Sequence, residues 1–354
     1  MDKHVAFVGA GAMGSYVGGR MAGAGIDVTL IDPWGEHIDT IKRQGLVLSG
    51  TQGRATVRVN ALHVHEAQGL VRRPVDVAFI AVKSYDTEWA TLLIKQYLST
   101  VGYAVSLQNG INEERIAHHL GWGRTLGCIA STIGVSLPEP GHVVRNYQPG
   151  GSAYTIFRVG EVHGRITPRA NDVAAMLRNV DSAEVTTDLW GERWAKVIAN
   201  SMHNGLAAVT GLTHIGIYGQ REPRRVAIRL GGEAARVGRA IGYNVESVRD
   251  IPLSALESAS SGDDAALATV EERMEGWTKR MTEEGRPSTA QDVLKGRRTE
   301  IDAINGLVVD AAKDAGIDVP CQRTIVELVK RVERGALAPG IDNLAALQSA
   351  GASA

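Results

Sequence analysis

The chain has 354 residues, 44% of them hydrophobic, which is enough to bury two substantial cores and points to about two globular domains. A net charge of −1 leaves no global field for gathering nucleic acid or an anionic membrane surface, so nucleic-acid and membrane partners are not expected. The two cysteines, Cys128 and Cys321, form no CxxC pair, which excludes a disulfide framework and a zinc site as first readings, and no metal site is expected.

The opening "MDKHVAFVGAG" runs directly into an apolar strand, with no basic leader, long apolar segment or cleavage site. No stretch approaches about 18 consecutive apolar residues, and a cytoplasmic protein is the expectation. Apolar runs then alternate with helical patterns. "VAFVG", "DVTLID", "VDVAFIAV" and "AVSLQNG" read as strands, and "GSYVGGRMAGAG" and "SYDTEWATLLIKQYL" as the helices between them. That alternation predicts an α/β domain, a Rossmann-type doubly wound parallel sheet, with antiparallel strands from about "GHVVRNY" to "TIFRVGEV". Beyond Leu189 strand signals nearly vanish. The predicted division is a dinucleotide-binding domain over 1–187 and an all-α substrate domain over 188–354. Within the latter, a longer segment at about 245–287 reads as a solvated excursion or interaction arm, and the closing "SAGASA" as a frayed end.

The first turn carries the clearest chemistry. Gly9, Gly11 and Gly14, with Ala12 and Met13 between the last two, follow a strand and open a helix. Gly9 suits the tight turn, Gly11 the approach of backbone to a pyrophosphate, and Gly14 the close packing of helix on strand. Phosphates then meet the unpartnered amides of the helix N-terminus. Asp32 ends the second strand, where a carboxylate accepts from an adenosine ribose and repels a 2′-phosphate, so NAD is favoured over NADP. Lys42 or Arg43 can supply the basic partner that NADP needs, and Asp32 can equally cap a turn. An S-adenosylmethionine site shares the glycine-rich turn, although the third glycine and the later polar residues argue against it.

Lys83 and Asn109 each close a strand, at the sheet edge where ligands of open α/β folds sit; the alternative is that each steadies its own loop. In "RWAKVIANSMHNGLAA", Lys196, Asn200 and Asn204 fall within an arc of about 80° on one helical face. Asparagine costs several tenths of a kcal/mol in a helix, so two behind a lysine need a reason beyond solvation, although an ordinary amphipathic helix is the plain alternative. His203 projects toward Ala199 and is expected to pack. In "QDVLKGRRTEIDAINGLVVDAA" a helical wheel sets Glu300 among Val293, Ala303, Ile304 and Leu307, so the carboxylate needs a partner, with Lys196 the natural candidate. A buried ion pair of purely structural role is the other reading.

These stretches, "GAGAMG", "AVKSYDT", "LQNG", "KVIANSMHNGLAA", "STAQDVLKGRRTEIDAING" and "GIDVPCQRTIVELVK", resemble the ketopantoate reductases (2-dehydropantoate 2-reductases) of the wider 6-phosphogluconate dehydrogenase-like group. The resemblance covers most of the chain. It implies Lys196 as general acid and Glu300 as a catalytic or substrate-orienting carboxylate. It also implies substrate contacts at Asn200, Asn204 and Ser288, and Lys83 and Asn109 beside nicotinamide and substrate. A 2-keto or 2-hydroxy acid as the small-molecule partner and a homodimeric assembly follow by the same analogy. Gly205 and Ala207 replace a common proline and threonine, His214 a common asparagine, and the segment before Ser288 is longer than usual. These departures bear on the substrate more than on the chemistry, and leave a dehydrogenase of another 2-hydroxy acid, or a nucleotide-sensing protein without turnover, as rivals.

Overall fold

The structure is a computed structural model that describes residues 3–279, 281 and 285–350. The chain divides into two compact units between Leu189 and Trp190.

In the first unit the strands are β1 (Val5–Val8), β2 (Val28–Asp32), β3 (Leu46–Gly50), β4 (Ala55–Val57), β5 (Asn60–His63), β6 (Val75–Ile80), β7 (Leu98–Ser106), β8 (Thr125–Ala130), β9 (Val135–Glu139), β10 (His142–Arg145), β11 (Phe157–Glu161) and β12 (Ala183–Thr186). Helices α1 (Ala12–Gly23), α2 (Gly35–Gln44), α3 (Thr87–Lys95), α4 (Glu113–Leu120) and α5 (Pro168–Leu177) connect them. The main sheet has the order β12-β11-β8-β7-β6-β1-β2-β5. From β5 across to β8 every pairing is parallel, and β11 then runs antiparallel to β8. The chain leaves β1 toward β2 and returns to its other side at β6, so the order reverses beside β1, where ligand crevices form.

Apolar residues fill both faces of that sheet, as its near-continuous apolar strands require. Phe7 and Phe79 stack at 4.6 Å on one face, within a core that includes Val17, Leu30, Val105 and Phe157. Ala6, Val8, Ile80, Ile94 and Ile116 build the core on the other. A second sheet, β4-β3-β10-β9, joins residues 46–57 to residues 135–145; in it β10, of "GHVVRNY", runs antiparallel to β9, while β11, of "TIFRVGEV", runs antiparallel to β8 in the main sheet. The buried Arg145 closes on Asp181 in an ion pair.

The second unit is helical: α6 (Leu189–Thr210, which begins one residue before the division), α7 (His214–Gly219), α8 (Arg221–Ala240), α9 (Leu253–Ser260), α10 (Asp264–Thr278), α11 (Ser288–Leu294), α12 (Leu307–Ala315), α13 (Pro320–Glu333) and α14 (Leu344–Ala350). Its described strands are the two-residue pair β13 (Ser247–Val248) and β14 (Ile251–Pro252).

Two sequence expectations need correction here. The segment at about 245–287 is not a solvated excursion over its described part. Leu253, Leu256, Val270 and Met274 are buried, and Arg224 on α8 binds Glu275 of α10 at 2.7 Å. The helix drawn continuously from Gln291 past Leu307 is broken. It ends at Leu294, where Gly296 takes φ +61 and the amides of Gly296 and Arg297 return to the carbonyls of Val293 (3.0 Å) and Asp292 (2.9 Å). Arg280, Thr282, Glu283 and Glu284 of the expected arm, and the last four residues of "SAGASA", lie outside the described residues.

Candidate active site

In the first unit, Gly9 sits at φ +101, a conformation that a side chain would strain, and a Cβ there would stand 2.6 Å from the amide nitrogen of Val82. A Cβ on Gly14 would overlap the carbonyl oxygen of Gly9, whereas one on Gly11 would meet nothing within 4 Å. The turn is therefore folded tightly against the start of α1 and open at Gly11. Neither a capping side chain nor an acidic residue stands in the first turn of α1, so its amides present a positive end to solvent. Ala12 and Met13 are the first two residues of that helix. Open space, close-packed glycines and an uncapped helix start fit a dinucleotide pyrophosphate.

Asp32 serves the turn directly. Its Oδ2 accepts from the amide of Ala10 at 2.7 Å and its Oδ1 from that of Trp34 at 2.9 Å. The turn-capping role is thus real, and each oxygen keeps a second lone pair for a ribose hydroxyl. Lys42, the candidate phosphate partner, is ion-paired with Glu66, and this hydrogen bond is the main reason the Glu66 carboxyl is held below its ordinary value.

Lys83 and Asn109 are half-buried at the carboxyl ends of β6 and β7, which are paired neighbours. Their loops are fastened together: Ser84 Oγ donates to the Asn109 carbonyl at 3.0 Å and Gln108 Nε2 to the Val82 carbonyl at 2.9 Å. The structure therefore brings the glycine turn, Lys83 and Asn109 to the same edge of three adjacent strands, with Val82 packed on Gly9.

In the second unit, α6 carries Lys196 and Asn200, both half-buried, and Asn204, 3% exposed. Glu300 is 5% exposed, but not on a helical stripe: it stands at the bend before Ile301, where the chain enters a π-helical turn over Asp302–Gly306. The wheel carried helical phase across the break at Gly296, so its neighbours for Glu300 do not apply. Thr299 sets the new entry, its hydroxyl accepting from the Ile301 amide at 3.2 Å while its own amide binds Glu333 at 2.7 Å.

What joins the Glu300 segment to α6 was not visible in the sequence. Asn305, fully buried in the π turn, donates through Nδ2 to the Ser201 carbonyl at 3.1 Å and to Gln322 Oε1 at 2.8 Å. Gln322 in turn donates to the Leu230 carbonyl at 2.8 Å. Glu233 accepts from the amides of Cys321 and Gln322 at 3.0 and 2.9 Å, and burial raises its pKa. Gly205 lets the two segments meet, since a Cβ there would stand 3.2 Å from Ile301 Cδ1 and 2.7 Å from Ile325 Cγ1. A π turn is a frequent mark of a functional site.

Ser288 is the first residue of α11 and half-buried. His203 packs inside, its Nδ1 2.7 Å from the Tyr218 hydroxyl. Among the described residues, no group of three or more His, Cys, Asp or Glu is arranged to hold a metal. Nor is any described helix long and apolar enough to cross a membrane.

Comparison with known proteins decides the family. The profile "Ketopantoate reductase PanE/ApbA" matches residues 5–156, and its C-terminal counterpart residues 188–333. The chain belongs to the ketopantoate reductase family. It is 31% identical over 335 residues, 94% of this chain and 99% of the relative, to a protein of Archaeoglobus fulgidus named 2-dehydropantoate 2-reductase. Among solved structures, a PanE/ApbA family ketopantoate reductase from Ralstonia eutropha JMP134 shares 29% identity at a TM-score of 0.75, covering 94% of this chain and 99% of that one. A D-mandelate dehydrogenase solved with NADH and anilino(oxo)acetate shares the fold at 22% identity and a TM-score of 0.78, with 94% and 99% covered. As a ketopantoate reductase family member, the chain is a nicotinamide-dependent oxidoreductase acting on a CH–OH group.

Proposed function

We propose that the chain reduces a 2-keto acid to the 2-hydroxy acid, with 2-dehydropantoate as substrate and pantoate as product, and with Lys196 as the general acid. The observation that carries this reading is the α6 face of Lys196, Asn200 and Asn204, to which Asn305 fastens the segment bearing the buried Glu300.

A reduced nicotinamide supplies the hydride that the keto carbon receives. The carbonyl oxygen then needs a proton, and an ammonium at Lys196 opposes the developing negative charge and donates that proton. Glu300 orients the ammonium and accepts from substrate hydroxyls. Asn200 and Asn204 offer neutral donors and acceptors for hydroxyl and carboxylate oxygens without changing the charge of the site, which offsets their poor helix propensity. Ser288 adds a hydroxyl. Gly9, Gly11, Ala12, Met13 and Gly14 would hold the pyrophosphate of the bound cofactor, and Lys83 and Asn109 would contact its nicotinamide end.

NAD is the proposed cofactor over NADP. Asp32 places a carboxylate at the end of β2, and Lys42 is engaged by Glu66. We place the enzyme in the cytoplasm as a homodimer, in line with a structural neighbour described as a dimeric ketopantoate reductase.

The test is initial-rate oxidation of NADH and NADPH with 2-dehydropantoate, and the reverse reaction with pantoate. Saturable turnover with NADH preferred supports the reading; no turnover in either direction overturns it. A second reading, a dehydrogenase of another 2-hydroxy acid, is favoured by Gly205, Ala207 and His214, which depart from the residues common in the family. A screen of 2-keto acids in the same assay separates the two.

A further inference from the structure

A buried cluster in the second unit has no part in the chemistry just described. Tyr218, His203 and His214 are 1%, 6% and 8% exposed. The His203 and His214 rings lie 5.0 Å apart, and those of His214 and Tyr218 6.4 Å apart. His214 opens α7, and it uses two donors on one acceptor: its backbone amide and its ring Nδ1 both reach the carbonyl oxygen of Gly285, at 3.0 and 2.9 Å. Since Gly285 can only accept there, Nδ1 carries the proton. The doubly bonded carbonyl lies three residues before Ser288.

The next residues are fixed as well. Arg286 donates from Nη1 to the Gly211 carbonyl at 2.6 Å, and its own carbonyl accepts from Gln291 Nε2 at 3.0 Å. Among the described residues, the His214 ring and its backbone amide hold the start of this run at Gly285. Outside it, Arg249 lies over the rings of Trp277 at 4.5 Å and Tyr218 at 5.8 Å. Arg249 holds φ +58, a backbone strain that persists only where surrounding structure imposes it. Burial and the Arg249 cation push the His214 pKa down to about 4, so the ring is a neutral donor under ordinary conditions.

We propose that His214 is a positioning residue: by holding the Gly285 carbonyl it sets the path of Gly285–Pro287 and thereby the place of the Ser288 hydroxyl that receives the substrate acid. The substrate part rests on the reading of Ser288 given above; the anchoring part does not.

The experiment has two arms on the full-length protein. In the first, amide hydrogen exchange is compared between wild type and His214→Ala without any ligand. Exchange at Gln291, whose amide donates to the Pro287 carbonyl at 3.1 Å, and at residues 292–294 of α11 is expected to quicken at least about tenfold, with α12 and α13 unchanged as the folding control. His214→Asn, which keeps a side-chain N–H donor, is expected to restore much of the protection. Unaltered exchange in His214→Ala overturns the anchor whatever the activity. The second arm measures steady-state kinetics. His214→Ala is expected to raise KM for the keto acid about tenfold, with kcat within about threefold and NADH affinity unchanged, and His214→Asn to recover most of the loss. Faster exchange with an unmoved KM overturns the positioning role. If wild type turns over no keto acid, the functional reading fails and the substrate part falls with it, while the exchange arm alone decides the anchor.

Discussion

The side-chain amide of Asn305 donates to the backbone carbonyl of Ser201 at 3.1 Å, which ties the π turn after Glu300 to the helix that carries Lys196, Asn200 and Asn204. Asn305→Ala removes this bond and the one to Gln322. A loss of about 1–3 kcal/mol is expected, because the Gln322 amide oxygen then lacks its buried donor. In a thermal melt that corresponds to a fall of roughly 2–12 °C, at about 2–4 °C per kcal/mol for a unit of this size. Activity is expected to drop further than stability at a temperature where the variant is fully folded, since the Glu300 segment is no longer held in register.

Gly205→Ala tests the same junction from the helix side. The added methyl would stand 2.7 Å from Ile325 Cγ1 and 3.2 Å from Ile301 Cδ1, so the segment must move. Overpacking of this kind costs about 1–3 kcal/mol. The expected readouts are a lower melting temperature and a reduced kcat/KM, with NADH affinity unchanged because the glycine turn lies in the other unit.

Cofactor choice is predicted to follow two carboxylates. Asp32→Ala removes the acceptor of the Ala10 and Trp34 amides and is expected to raise KM for NADH about tenfold, equivalent to about 1.4 kcal/mol. Glu66→Gln weakens the hold on Lys42 and is expected to lower KM for NADPH. Competing steady-state measurements with both cofactors check the pair. An Asp32→Ala variant that prefers NADH as strongly as wild type contradicts the assignment.

Acid stability should follow the buried imidazoles. His214 has an ordinary value of 6.5 and a folded value of about 4, lowered by burial first and by Arg249 second. His203 is lowered well below 6.5 by burial, His214 and Arg249. His214 is therefore less protonated when folded than when unfolded between those limits, and His203 is likewise less protonated when folded as pH falls below 6.5. Their contribution is present above pH 6.5 and is lost as pH falls below it, for His214 down to about 4, at up to about 1.4 kcal/mol per pH unit. Melting temperature against pH should be flat above about 7 and fall below about 6. A His214→Asn variant should show a shallower fall.

Much of this was legible in the residues, for identifiable reasons. The three glycines of the first turn and the apolar runs of β1, β2, β6 and β7 are local signals, and the i, i+4, i+8 spacing of Lys196, Asn200 and Asn204 survives because α6 is unbroken across them. The sheet of β4, β3, β10 and β9 was not seen, since the β3–β10 pairing that joins its two halves spans about ninety-five residues and its strands are short. Glu300 was found as a buried carboxylate by a wheel whose phase does not hold, because Gly296 breaks the helix before it. Asn305 escaped because a π turn has no 3.6-residue periodicity. The docking of α10 depends on Arg224, Arg225 and Trp277 meeting partners far along the chain, which composition cannot reveal.

The most direct test of the whole account is Lys196→Ala, assayed by NADH oxidation with the keto acid at saturation, beside a fluorescence titration of NADH. Loss of general acid catalysis is expected to lower kcat by about 10²–10⁴-fold, with NADH affinity and melting temperature close to wild type. Turnover by Lys196→Ala within about threefold of wild type, across the same pH range, would contradict the assignment of the proton donor and with it the proposed reaction chemistry.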